Sequence, residues 1–252
     1  MPRPATIAAG YEEAHRHGRV PLGVAAADAV LGGGMIRGAL HEVFAADAGH
    51  AVPACGFAAA LALRLGSAKT LLWIRQDYAA LEHGALSPMG LLELGQNPAR
   101  LIELRVSSPL DALRAGCDGL SCKGLGAVVI EIVGNPRVLD LTATRRLTLA
   151  AAQSGVTPVL LREGADPAPS SAETRWIVRT AAWPRGAEDW GSPRFAASLV
   201  RHRHGNTGHW VMEWSCDEGI FGEASAGAVV PALSGGRIET AARIPDRSWR
   251  VA

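Results

Sequence analysis

The sequence predicts an α/β domain whose mostly parallel sheet is extended by antiparallel strands near its C-terminal end. Three observations lead there. From Phe44 onward, short apolar runs alternate with helical patterns, the order expected of strand-helix-strand units. The runs TLLWI (70–74) and AVVIEIV (127–133) are apolar at nearly every position, as strands covered on both faces are. After TPVLLRE (157–163) the alternation stops, and Gly205-Asn206-Thr207-Gly208 marks a hairpin, because an Asn flanked by glycines tolerates positive φ.

Each element has its own signal. Gly32, Gly33, Gly34 and Gly38 lead into an apolar strand from Ala39 to Phe44. GFAAALALRL (56–65) is built from strong helix formers, and TLLWI follows as a strand. A Gly- and Pro-punctuated stretch surrounds ALSPMGLLELG; LIELRV (101–106) then reads as a strand entering the helix PLDALRAGCDGLSC. AVVIEIV is largely β-branched and is stopped by Gly134-Asn135-Pro136. Asp140 caps a helix through Gln153, with Leu141, Thr144, Leu147, Ala150 and Ala151 at helical spacing. RWIVRTAAW, RFAASLVRHR and HWVMEWS are three more strands, expected to add antiparallel to the same sheet. The chain thus divides into a helical, basic segment 1–20, a domain 21–223, and a tail 224–252 that lacks periodicity and is expected to be poorly ordered by itself.

Composition limits the function. With 252 residues, 48% of them hydrophobic, the chain can bury one substantial core. A net charge of +1 gives no global case for nucleic-acid binding, so any basic patch must be local. Cys55, Cys117, Cys122 and Cys216 match neither a disulfide framework nor a CxxC knuckle, which predicts free thiols in a reducing cytoplasm. No run of ~18 uncharged apolar residues predicts a membrane span.

The stretch GVAAADAVLGGGMIRGALHEVF (23–44) is similar to the lead-in of the nucleotide-binding core of RecA-type recombinases. The phosphate loop that should follow is missing. AADAGHAVPACGF (45–57) lacks both the spacing and the lysine of GxxxxGK[ST], whose amides and lysine cradle phosphates. The only lysines are Lys69 and Lys123, and Lys69-Thr70 has Ala68 before it and Leu63 where the first glycine belongs.

Four blocks in order, LLWIRQDYAALEHGALS (71–87), AVVIEIVGNPRVLDLTATRRLTLAAAQSGVTPVLLR (127–162), SSAETRWIV (170–178) and RFAASLVRHRHGNTGHWVMEW (194–214), resemble the ImuA family. Those proteins are similar to RecA and to the cell-division inhibitor SulA. The resemblance implies a RecA-like core and a place, beside ImuB and a second DnaE-type polymerase, in the SOS response: DNA-damage-induced mutagenesis by translesion synthesis. It implies binding to ImuB and to RecA, contact with DNA through those partners, and no membrane. It also puts Asp77 near the position of the carboxylate that orients the attacking water in a RecA-like ATPase, and Glu131 at that of the carboxylate holding magnesium. Either this pair is a remnant nucleotide pocket, or the two carboxylates are paired with neighbours such as Arg75.

Without amides and a lysine to offset repulsion, the expectation is a pseudo-ATPase with no catalytic residue, cofactor or metal. The alternatives are an atypical DNA-dependent ATPase that takes its lysine from elsewhere, and a SulA-like inhibitor. His202, His204, His209 and Cys216 flank the hairpin and read as a solvated face rather than a zinc site. Residues 175–210 carry six arginines against two acids, interleaved with Trp176, Trp183, Trp190 and Trp210. Arg175, Trp176, Arg179, Arg201, Arg203 and Trp210 are therefore expected to offer a partner or DNA surface, as an alternative to tryptophans filling the core. In the tail, Trp249 is the expected partner anchor.

Overall fold

The computed structural model describes residues 17–66, 69–182, 191–203 and 205–224. The chain begins with a small antiparallel pair, β1 (Arg19–Val20) and β2 (Met35–Ile36), around helix α1 (Ala25–Val30). The Asp28 carboxylate accepts from the amides of Leu22 and Gly23, at 2.6 and 2.9 Å, and fixes the entry to α1. The glycine cluster 32–34 turns the chain between α1 and β2. Gly34 has φ +121°, and a Cβ there would sit 2.3 Å from the Val20 carbonyl oxygen, so only glycine fits.

The main sheet follows. Strand β3 (His41–Ala45) runs through a 3-10 turn (Ala48–His50) into α2 (Ala51–Gly66), then β4 (Thr70–Gln76), α3 (Asp77–His83), α4 (Pro88–Glu93) and β5 (Leu101–Val106). Helix α5 (Pro109–Leu120) leads to β6 (Leu125–Val133), and α6 (Leu141–Ser154) to β7 (Thr157–Glu163). The last strands are β8 (Thr174–Thr180), β9 (Arg194–His202), β10 (Gly208–Ser215) and β11 (Ile220–Glu223). The order across the nine strands is β11-β10-β9-β8-β3-β7-β6-β4-β5. From β5 to β8 the strands are parallel, and β9 to β11 extend the sheet antiparallel.

This corrects one expectation. RWIVRT, the first of the three late strands, lies parallel to β3 because residues 164–173 carry the chain back across the sheet before β8 begins. The antiparallel part instead gains β11, a strand the sequence did not announce.

Side-chain alternation sorts the sheet into two cores. On one face α2 packs with the N-terminal segment over Val43, Leu71, Trp73, Val129, Val159 and Leu161; on the other, α5 and α6 cover Leu72, Ile74, Val128, Ile130 and Leu160. Helix α2 sits so close to β6 that a Cβ on Gly126 would meet the Gly66 carbonyl oxygen at 2.1 Å. By length and composition, Ala48–Gly66 would pass as a membrane span, but half of that window is buried inside this fold, where it is the central helix. Asp140 caps α6 as expected, its carboxylate accepting from the Ala143 amide at 2.7 Å. Most of the N-terminal segment (1–16) and nearly all of the tail (225–252) lie outside the described residues.

Candidate functional site

The junction from β3 to α2 stands where a parallel strand delivers the chain to a helix N-terminus, the usual seat for a phosphate in such folds. Here residues 46–50 make a tight turn. The Ala46 amide is bound to the Val178 carbonyl at 3.1 Å, which pins the turn to β8. The Asp47 carboxylate accepts from the Gly49 amide at 2.9 Å and lies 2.7 Å from His50 Nδ1. Its hydrogen bond with His50 holds Asp47 below the usual carboxylate range. The Gly49 amide at this turn is thus taken by the chain's own anion. Neither lysine is near this turn: Lys69 and Lys123 precede β4 and β6, at the opposite ends of the strands, where Lys69 Nζ donates to the Lys123 carbonyl at 3.3 Å.

Beside the turn lies a cavity of about 250 Å³ between α2, α4 and the sheet, lined by Cys55, Arg75, His83, Leu91, Glu131 and Glu163 among others. Arg75 and Glu131 come from adjacent strands and point to the α2 face. Arg75 Nε and Nη2 donate to the two Glu131 oxygens at 2.7 and 3.1 Å, and Trp73 Nε1 donates to Oε2 at 3.0 Å. Arg75 Nη1 also donates to the Gly84 carbonyl at 3.0 Å, closing the link to α3. Burial would lower the Arg75 pKa, but its bonds to Glu131 outweigh that and raise it. Both groups are locked as a pair.

One strand over, Glu163 lies 2.8 Å from His83 Nε2. Burial, helped by nearby Glu131, raises the Glu163 pKa. Burial, again with Glu131 and Glu163 close, pushes the Cys55 thiol up to about 12, which leaves it protonated and unreactive.

The expected carboxylate pair does not form one pocket. Glu131 is 1% exposed and faces Arg75, whereas Asp77 begins α3 with its side chain 58% exposed and Arg105 Nε 3.8 Å away. Asp77 is not among the residues lining the cavity. Glu163 and His83, which do line it, were missed from the sequence.

The Arg- and Trp-rich segment is also redistributed. Trp176 is fully buried, with Phe57 at 5.6 Å and Trp210 at 6.1 Å between ring centroids, so it belongs to the core and not to a surface. Arg175, on the opposite face of β8, is buried as well and pairs with Glu42 at 2.7 Å. Trp210 is half-buried against the same core as Trp176. Arg179 is exposed at the far end of β8, and Arg201 and Arg203 are half-buried at the end of β9. Trp183, Trp190 and Trp249 lie outside the described residues.

Six parallel strands, a central helix entered from β3 and an antiparallel extension define a RecA-like domain with a degenerate phosphate loop. Among solved structures the chain is similar to the RadB recombinase, with a TM-score of 0.52 and 17% identity, over 82% of this chain and 100% of that one. No protein-family model matches the chain. It is 33% identical over 199 residues to Protein ImuA from two strains of Caulobacter vibrioides, covering 72% of this chain and 77% of theirs. The chain belongs to the ImuA family.

Proposed function

We propose that the chain is a non-catalytic, RecA-like accessory protein of DNA-damage-induced, error-prone translesion synthesis, working in the cytoplasm by binding ImuB and RecA. The observation that carries the non-catalytic part is the turn at 46–50. Asp47 holds the Gly49 amide where a phosphate would need it, and a triphosphate would approach that carboxylate with no lysine to offset the repulsion. Glu131 supports the same reading: an arginine and a tryptophan already use its oxygens, which a hydrated magnesium would require. Both lysines sit at the other ends of the strands, which counts against an ATPase that borrows one of them within the same chain. Four free cysteines suit a reducing compartment.

The test is calorimetric titration with ATP and magnesium, with turnover assayed alone and with single-stranded DNA. No binding tighter than millimolar and no hydrolysis are expected. Turnover that disappears in Lys69→Ala or Lys123→Ala would refute the reading. In cells, loss of the gene is expected to lower damage-induced mutation with little effect on undamaged growth. Asp77→Ala is expected to complement fully, and failure to do so would assign that carboxylate a direct role.

A further inference from the structure

On the face of the sheet opposite α2, arginines crowd together. Arg162, Arg175, Arg201 and Arg203 come from β7, β8 and the end of β9, and Arg145 joins them from α6. The carboxylates among them are Glu42, which is paired with Arg175, and Glu173. Positive charge is therefore in excess. Burial, followed by Arg175 and, after Glu42, by Arg203, holds the Arg201 pKa below its ordinary value, and Arg162 falls to about 10 for similar reasons.

The crowding surrounds an opening. A pocket of about 130 Å³ is lined by Leu141, Arg145, Ser170, Ser171, Arg201 and Arg203. That is well below the ~300 Å³ at which sites for whole nucleotide-sized ligands begin, so it suits a single small group. Arginine side chains and serine hydroxyls make up its polar lining. Ser170 is buried, and its Oγ accepts from Arg175 Nη2 at 3.1 Å and from Arg201 Nη1 at 3.2 Å. The Ala172 amide approaches the same oxygen at 3.4 Å, so its lone pairs are fully used and its hydroxyl hydrogen is left to donate, with no acceptor for it among the described residues. Ser171 donates to Thr148, whose own proton goes to the Thr144 carbonyl. Arg145 makes no hydrogen bond or ion pair with any described residue. Donors thus come from a helix, a strand end and the crossing segment 164–173, an arrangement that can meet an oxyanion with acceptor oxygens on several sides.

We propose that this pocket is a phosphate-binding site, in which Arg145, Arg201, Arg203 and the Ser170 hydroxyl hold one phosphate group. The phosphate comes either from the backbone of a nucleic-acid strand or from free phosphate. The site does not depend on the accessory role or on the Arg75–Glu131 cleft, which lies on the other face of the sheet.

The test uses the full chain, Arg145→Gln and, as a control of equal charge, Arg146→Gln on the exposed next position of α6. Binding of a fluorescein-labelled oligothymidylate is followed by anisotropy across a salt series. The melting temperature is followed with inorganic phosphate against sodium chloride of equal ionic strength. If the source is a nucleic-acid backbone, Arg145→Gln weakens oligonucleotide binding about tenfold and reduces the salt slope by about 0.7 to 1, while Arg146→Gln does much less. If the source is free phosphate, only phosphate raises the melting temperature, and Arg145→Gln abolishes that rise. Either outcome supports the site. The proposal is overturned if neither probe binds, if binding is the same in Arg145→Gln and the wild type, if both variants lose it equally, or if an aspartate-rich peptide is the only probe that senses Arg145.

Discussion

Replacing Arg75 by methionine tests the reading of the cleft most directly, because it keeps the apolar stem and removes the charge. Arg75 is 3% exposed and Glu131 1%, so neither can turn to water without local opening. The variant leaves Glu131 with the Trp73 indole as its remaining donor among the described residues and with Glu163, another buried carboxylate, nearby. Breaking a buried pair in this way costs about 3 to 5 kcal/mol. In a domain of this size that corresponds to a fall in melting temperature of roughly 6 to 20 °C.

Adding Glu131→Leu removes the stranded charge, and since apolar replacement of a buried pair is often neutral, the double variant is expected to recover most of the loss. Urea unfolding of the wild type, both single variants and the double variant closes the cycle. A cost below about 1 kcal/mol for Arg75→Met, or single costs that simply add in the double variant, would refute a locked pair.

Three further outcomes are expected. Glu163 has a raised pKa, so its contribution to stability is present below the unfolded value and lost as pH rises through the folded one. Glu163→Gln should therefore gain on the wild type as pH rises above the ordinary carboxylate value of 4.5, read from urea midpoints. Trp176→Ala should cost about 3 to 5 kcal/mol, as a core truncation does, whereas Arg179→Ala should stay within about 0.5 kcal/mol, both by thermal or chemical unfolding. Truncation after Ala228 should leave the melting temperature nearly unchanged and weaken capture of ImuB or RecA, with Trp249→Ala giving part of that loss.

Much of the scaffold was readable because period and composition agree. AVVIEIV and TLLWI had to be buried strands, and Asp140 had to begin a helix. Direction was not readable: an apolar run reads the same parallel or antiparallel, and β8 was misjudged for that reason. The four residues of β11, one of them Gly222, carry too little pattern to show. In the cleft, alternation already placed Trp73, Arg75, Val129 and Glu131 on one face, so the Arg75–Glu131 pair was open to inference. The same parity puts Trp176 with Val178 on the core face and Arg175 opposite, which the interleaved Arg and Trp composition concealed. Glu163 and His83 meet only through the folding of α3 against the sheet, a contact that no local pattern carries.

The carboxylate at the entrance to α2 has a consequence for how such a protein could be controlled. A tethered anion competes with any diffusing one at an effective concentration of about millimolar or more. On the reading proposed above, the outer face of the domain then has one standing form, indifferent to the supply of nucleotide. Nothing in it would switch on hydrolysis or reset on exchange. Its activity would rise and fall with the number of copies in the cell, which places the burden of regulation on synthesis and turnover.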